Sequence, residues 1–193
     1  MRPNWFIALR CQVDTWYSEM LASTLPPPRV RTFSPDDLHL TVAFLGAVEA
    51  HVAEQAFRGA SSWPTGALEV SLDVVRPLGP KRRFSALSAT LDTGRAEVEE
   101  GMAACTNAMR TAAGLGPESR PPLAHMTIAR PERRASARER GLALQWAAAL
   151  PVAGQTVRIG ELALYTWAED RRHRLFRIAR SRSLCQRNAL RRY

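Results

Sequence analysis

Several segments of this chain alternate hydrophobic and polar residues with a period of two, which is the pattern of a half-buried β-strand. The clearest of them runs from Leu68 to Val74, where leucine or valine occupies every second position. Glycine, proline or charged residues bound the other segments of this kind. Hydrophobic segments of strand length, with or without this alternation, predict strands over residues 4–11, 29–33, 39–44, 68–74, 84–91, 125–130, 157–167 and 174–180, with a bulge expected at Gly160.

Four further segments carry apolar residues at helical spacing and begin or end at capping or helix-breaking residues. They predict helices over about residues 14–24, 50–62, 95–113 and 136–150. We expect Asp14 to cap the first helix. The third has an apolar stripe made of Val98, Met102, Cys105 and Met109. The fourth opens with a capping box, Ser136 and Glu139, and is expected to bury Leu142 and Trp146.

One short pattern occurs twice, each time on a predicted strand. His39-Leu40-Thr41-Val42-Ala43-Phe44 and His125-Met126-Thr127-Ile128-Ala129-Arg130 share the form H-[LM]-T-[VI]-A-x, with their histidines 86 positions apart. Because side chains alternate faces along a strand, the His, Thr and Ala of each copy share one face. With four His and twelve Thr in the chain, random placement gives about 0.25 His-x-Thr matches, so the repetition is a specific signal.

The two copies divide the strands and helices into halves, each with one histidine-bearing strand. This arrangement predicts an α+β fold with internal pseudo-symmetry, in which helices cover the apolar faces of two antiparallel sheets. A cleft is expected between the two histidine-bearing faces.

The matched frames favour a catalytic role for His39 and His125 over the ordinary surface or core position of a single strand histidine. Paired imidazoles suit general acid–base catalysis near neutral pH. Thr41 and Thr127 are interpreted as hydroxyl donors to a substrate, the alternative being that they only favour strand structure. Sequence symmetry alone leaves open which histidine is the acid and which is the base.

Arg130 ends the second motif at an odd spacing from the histidine, which in a regular strand turns it to the opposite face. Pro131 is expected to end the strand and to free the guanidinium for a phosphate contact, the alternative being a solvated surface arginine. Phe44, its counterpart in the first copy, is expected in the core. His51 and His173 have no motif partner and are expected to be solvated.

The formal charge of +9 and the sequence pI near 10.8 indicate an anionic partner, with nucleic acid the usual candidate. Lys81 is the only lysine. Arginine favours forked recognition of phosphate, although genome composition explains such a bias equally well. The basic segment Lys81-Arg82-Arg83 either contacts RNA or only keeps the protein in solution.

Three scattered cysteines, without a CxxC pair or a histidine at metal-ligand spacing, favour reduced thiols over a disulfide framework or a zinc site. No segment approaches the length of a membrane span. We therefore expect a cytoplasmic protein that does not bind a membrane.

The two motifs, their spacing and their context resemble the 2H phosphoesterase superfamily, and within it the bacterial RNA 2′,3′-cyclic phosphodiesterases, also called 2′-5′ RNA ligases. The opening strand, the two motifs and the closing strands of that family resemble residues 5–9, 37–46, 125–130, 162–165 and 175–179. Ala124 stands where the family usually has proline, and residues 84–91 lack the tryptophan that many members carry. These departures affect substrate preference more than chemistry.

The resemblance implies a bilobal fold with pseudo-twofold symmetry. Residues 1–184 would form a single domain of two intertwined lobes, each carrying one HxTx motif, and residues 185–193 a basic tail. It further implies a monomeric enzyme that needs no metal or cofactor. Its partner would be RNA with a 2′,3′-cyclic phosphate terminus, hydrolysed to a 2′-phosphomonoester, and reversible 2′-5′ RNA ligase activity stays open.

The family roles make His39 the proton donor and His125 the proton acceptor. Thr41 and Thr127 would hold the non-bridging phosphate oxygens, and Arg130 would offset the charge that builds up there. One alternative is a 2H phosphodiesterase for another substrate, such as a 2′-5′ oligonucleotide or ADP-ribose cyclic phosphate. Another is a non-catalytic RNA-binding module, against which the retention of both histidines and both threonines argues.

Overall fold

The computed structural model describes residues 2–59, 63–80 and 83–184. Its strands are β1 (Trp5–Gln12), β2 (Val30–Thr32), β3 (His39–Gly46), β4 (Leu68–Leu78), β5 (Ala86–Leu91), β6 (His125–Pro131), β7 (Thr156–Trp167) and β8 (Phe176–Ser183). Its helices are α1 (Trp16–Ser23), α2 (Ala50–Gly59), α3 (Arg95–Ala112) and α4 (Ala137–Ala148), with a 3₁₀ turn at Pro35–Asp37. The predicted α+β class is confirmed, and Lys81, Arg82 and residues 185–193 lie outside the described residues.

All the strand pairings in this part of the chain are antiparallel and belong to one sheet with the order β1-β3-β6-β5-β4-β7-β8. β2 adds to β6, and β1 pairs with β7 as well as with β3. The strands β1, β3, β6, β5, β4 and β7 therefore form a closed circuit of neighbours. Closure of this kind satisfies strand edges that would otherwise be exposed.

The histidine-bearing strands β3 and β6 share the shortest pairing in the sheet, a single register pair between Leu40 and Met126. On the other side of the circuit, the first part of β7 pairs with β4 and the second part with β8. The register of β1 against β7 skips Gly160, which confirms the bulge expected there. The strands of both predicted lobes are thus joined into one hydrogen-bonded sheet.

The main hydrophobic core lies between this sheet and helices α1, α2 and α3. The apolar stripe predicted on α3 is confirmed, because all four of its residues are buried: Val98, Met102, Cys105 and Met109. A second, smaller core joins α4 to β5 and β6 through Phe84, Leu87, Ala129, Ala143 and Ala147. None of the described helices is both long and apolar enough to cross a membrane.

The predicted buried face of α4 is wrong. Ala143 and Ala147 are buried, whereas Leu142 is 42% exposed and Trp146 only partly buried. Two alanines four residues apart allow a helix to lie close to the sheet, so the larger side chains fall beside the contact face. The indole of Trp146 instead donates to the carbonyl of Thr24 at 3.1 Å. The capping box at the start of α4 forms as expected.

The expected cap of α1 is also wrong. Thr15 is the N-cap residue and makes no side-chain cap hydrogen bond. The carboxylate of Asp14 instead accepts a hydrogen bond from Arg158 at 3.1 Å, on strand β7. An ion pair that is distant in sequence has replaced the local contact that the sequence suggests.

Phe44 lies outside the core, 52% exposed, which contradicts the expectation. Strand β3 has two bulges against β1, one between the pairs Trp5–Gly46 and Phe6–Phe44 and one between Ile7–Ala43 and Ala8–Thr41. Each bulge inserts a residue and breaks the alternation of faces. The period-two pattern therefore assigns Phe44 to the wrong side.

Candidate active site

The two HxTx motifs lie side by side because β3 and β6 are antiparallel neighbours with Leu40 opposite Met126. Continuing this register by one residue in each direction sets His39 against Thr127 and Thr41 against His125. Each imidazole is thereby matched with the hydroxyl of the other motif. The repeat seen in the sequence becomes a local twofold arrangement in the fold.

His39 is buried against three aromatic rings. Its ring centroid lies 4.8 Å from that of Phe6, and 5.4 Å from those of Tyr165 and Phe176. Nδ1 is 2.6 Å from the carbonyl oxygen of Asp37. Because a carbonyl only accepts, Nδ1 carries a proton in this contact, and Nε2 remains available for proton transfer.

Burial lowers the pKa of His39 to about 4, and the positive charges of Arg130 and His125 lower it further. The hydrogen bond to the Asp37 carbonyl and the Asp37 carboxylate act in the opposite direction. The imidazole is therefore neutral at pH 7 in the free protein. An anion bound beside it would favour its protonated form.

His125 repeats this arrangement with less burial. Its Nδ1 lies 2.8 Å from the carbonyl oxygen of Leu123, two residues earlier in the chain. Asp37 stands in the same relation to His39. Burial lowers the pKa of His125, the hydrogen bond to Leu123 raises it, and the charge of Arg130 lowers it. Both imidazoles are thus oriented through Nδ1 by the same backbone device.

The two motif threonines differ in burial, since Thr41 is partly exposed and Thr127 is buried. The Oγ1 of Thr127 lies 3.0 Å from Oγ of Ser88, its partner on β5. Thr90 is the β5 partner of His125, and its hydroxyl donates to Asp73 at 3.3 Å. Strand β5 therefore contributes Ser88 and Thr90 to the same polar face. The only sequence signal for them is the polar side of the strand predicted at 84–91.

A bulge in β6 lies just before Arg130. Ser88 pairs with Thr127 and the neighbouring Leu87 pairs with Ala129, so β6 advances by two residues where β5 advances by one. The extra residue shifts the alternation, so Arg130 is not confined to the face opposite His125. Its positive charge lowers the pKa of both histidines. The guanidinium lies over the ring of Phe33, 5.4 Å from the centroid.

Arginines gather around this point. Arg31 is the β2 partner of Arg130, and it donates to the backbone carbonyls of Arg171 and Arg172. Partial burial and the charge of Arg171 both lower the pKa of Arg130. A concentration of guanidinium charge beside two imidazoles favours the binding of a phosphate.

Asp37 is a buried carboxylate in the 3₁₀ turn before β3, and no pattern in the sequence singles it out. It accepts hydrogen bonds from the backbone N–H groups of Leu175 and Phe176 at 2.8 and 3.0 Å, and from the Ser34 hydroxyl at 3.0 Å. These contacts join the 3₁₀ turn before β3 to the start of β8. They hold the carbonyl that orients His39 and the Phe176 ring that packs on it.

His51 and His173 are exposed, at the start of α2 and in the loop before β8, and neither joins the site. In the described part of the chain, no group of three His, Cys, Asp or Glu residues is arranged to hold a metal ion.

No protein-family profile matches the sequence, and no curated protein matches it. Several solved structures do. E. coli LigT complexed with phosphate is 21% identical, with a TM-score of 0.60, and the match covers 96% of this chain and all of that one. The protein TT0787 of Thermus thermophilus is 16% identical, with a TM-score of 0.66 and coverage of 94% and 97%.

A third similar structure is Usb1 of Kluyveromyces marxianus, 11% identical with a TM-score of 0.55, where the match covers 94% of this chain and 97% of that one. These structures belong to the 2H phosphoesterase superfamily. The resemblance that the paired motifs suggest is confirmed at the level of the fold: this chain has the α+β fold of the 2H phosphoesterases.

Proposed function

We propose that this protein hydrolyses the 2′,3′-cyclic phosphate at an RNA end to a 2′-phosphomonoester, by general acid–base catalysis from His39 and His125. The observation that carries the proposal is the matched pair of imidazoles on adjacent antiparallel strands, each fixed at Nδ1 by a carbonyl two residues earlier. Each has a free Nε2 to exchange a proton with a group bound between them. The superfamily fold supports a phosphoesterase.

The reaction needs a base on one side of phosphorus and an acid on the other. In the proposed roles, His125 Nε2 takes a proton from water, whose oxygen bonds to phosphorus. The bond from phosphorus to the 3′ oxygen breaks, and His39 Nε2 gives its proton to that oxygen. One water is consumed, the phosphate stays on the 2′ oxygen, and solvent then restores the two protonation states.

Thr41, Thr127 and Arg130 are assigned to the phosphate in this proposal. The hydroxyls would donate to its non-bridging oxygens, and the guanidinium would offset the charge that grows on them in the transition state. The charge of the bound phosphate also favours the protonated form of His39, the proposed acid. A bound cyclic phosphate offsets the positive charge of Arg130, which otherwise lowers the pKa of His39, and so favours the protonated ring that the acid role requires.

A substrate panel tests the proposal. Purified protein is incubated with an RNA ending in 2′,3′-cyclic phosphate, a 2′-5′ oligonucleotide and ADP-ribose cyclic phosphate, and turnover of each is compared. We expect the cyclic-phosphate RNA to have the highest kcat/KM. Higher kcat/KM for either of the other two substrates would reassign the substrate, and RNA binding without turnover of any of them would refute the enzyme.

A further inference from the structure

A cavity of about 740 Å³ opens just beyond Arg130, between the β4–β5 hairpin and the start of α4. Pro131, the residue after Arg130, forms part of its wall. Four arginines line it, and we refer to it as the arginine cavity: Arg83, Arg133, Arg134 and Arg140. No carboxylate is among the described residues that line it.

The acidic residues nearest in sequence are already engaged. Glu132 and Glu139 both form ion pairs with Arg29, at 2.9 and 3.2 Å. Glu139 also accepts a hydrogen bond from the backbone N–H of Ser136 in the capping box. Neither carboxylate is therefore free to neutralise the arginines of the cavity.

Other arginines of this fold form ion pairs with nearby carboxylates, as Arg158 does with Asp14 and Arg120 with Glu118. Within the described parts of the chain, none of the four cavity arginines has an ion pair. Arg140 is fixed in place, since it donates to the Phe84 carbonyl at 2.6 Å and lies over the Phe84 ring. The side chains of Arg83, Arg133 and Arg134 are exposed and free to meet an anion.

The position of the cavity relative to the candidate active site limits what the anion is. Thr127 and Pro131 lie four residues apart on β6, which is about 13 Å at the usual rise of a strand. An RNA whose 3′-terminal phosphate sits between the histidines extends away from them in its 5′ direction, and a few nucleotides span that distance. Positively charged grooves that follow a single strand bind its backbone phosphates in this way.

We propose that the arginine cavity binds the backbone phosphates of the RNA strand upstream of the terminal cyclic phosphate. The substrate is therefore an RNA chain, and a cyclic mononucleotide lacks the contacts in the arginine cavity. This inference rests on the proposed function, because it takes the RNA end to lie between the two histidines.

The test compares Arg133→Ala/Arg134→Ala with a control of equal charge loss, Arg58→Ala/Arg138→Ala, whose arginines are exposed but do not line the cavity. Binding of a fluorescent 12-nucleotide RNA with a 2′-phosphate end is followed by anisotropy at several salt concentrations. The cavity variant should bind about tenfold more weakly, with a salt slope shallower by about 1.4 log units for two lost phosphate contacts on a single strand. The control pair should stay close to wild type.

Hydrolysis gives the second readout. For the same RNA with a cyclic end, KM should rise in the cavity variant, while kcat/KM for 2′,3′-cyclic AMP stays at the wild-type value and shows that the variant is folded. Unchanged RNA affinity and salt slope, or an equal loss in the control pair, would overturn the inference. Wild-type protein that binds RNA through these arginines without hydrolysing its cyclic end would refute the proposed function and leave the cavity as an RNA site.

Discussion

Replacement of Asp37 by asparagine should destabilise the protein more than any other single change of similar size around the site. The buried carboxylate accepts from Leu175 N–H at both oxygens, from Phe176 N–H at Oδ1 and from the Ser34 hydroxyl at Oδ2. An asparagine oxygen in place of Oδ1 keeps two of these bonds, without the charge. Its NH₂ group replaces Oδ2 and faces the Leu175 N–H, donor against donor.

Of the four hydrogen bonds, the two at Oδ2 lose their acceptor and the two at Oδ1 are weakened, together worth about 2–4 kcal/mol. For a chain of this length that corresponds to a melting temperature lower by about 4–16 °C. Thermal unfolding followed by circular dichroism measures it, and hydrolysis should fall too because Asp37 also positions His39. Asp36→Asn is the matched control. Asp36 is exposed, and its ion pair with Arg10 is long, at 3.8 Å. Its replacement should therefore change the free energy of unfolding by no more than about 0.5 kcal/mol. Equal stability of the two variants would refute the role assigned to Asp37.

Four further predictions concern the histidines and the chemistry between them. His39→Ala and His125→Ala should each lower kcat about 10²–10⁴-fold. His51→Ala is the control and should leave kcat unchanged. Near-full activity of His39→Ala or His125→Ala would show that the replaced histidine has only a structural role. NMR titration of the free protein should give a pKa for His39 near 4, and a bound nucleoside 2′-phosphate should raise it; a value near 6.5 in the free protein would contradict the burial argument. His39 takes up its proton near pH 6.5 in the unfolded chain but only near pH 4 in the folded protein. The free energy of unfolding should therefore fall as the pH drops from about 6.5 to about 4. In His39→Gln this fall should be less steep. Hydrolysis is expected to continue at full rate in EDTA, and a rate lost in chelator and restored by a divalent ion would show that a metal takes part.

The paired motifs were readable from the sequence because His, Thr and the apolar residues between them follow strand periodicity in both copies. The α3 stripe was readable for the same reason, since its four apolar residues lie on one face of a regular helix. Regular spacing also predicted the final hairpin, which forms β7 and β8. Each of these is a local pattern with one period.

Other features depend on irregular backbone or on contacts that are distant in sequence, and the sequence did not reveal them. The bulges in β3 turn Phe44 outward, and the bulge in β6 redirects Arg130, at positions where period two predicts the opposite face. Asp37 becomes a hydrogen-bond acceptor only when β8, about 140 residues later, arrives beside it. Ser88 and Thr90 join the polar face through the register of β5 on β6, which no local pattern specifies.

The most direct test of the central claim is the identity of the product formed from an RNA that ends in 2′,3′-cyclic phosphate, read by ³¹P NMR. Protonation of the 3′ oxygen by His39, with water activated by His125, predicts a 2′-phosphomonoester alone, formed by wild type and about 10²–10⁴-fold more slowly by either alanine variant. A 3′-phosphomonoester, a mixture of both isomers, or the same product from His39→Ala or His125→Ala at the wild-type rate would contradict the account.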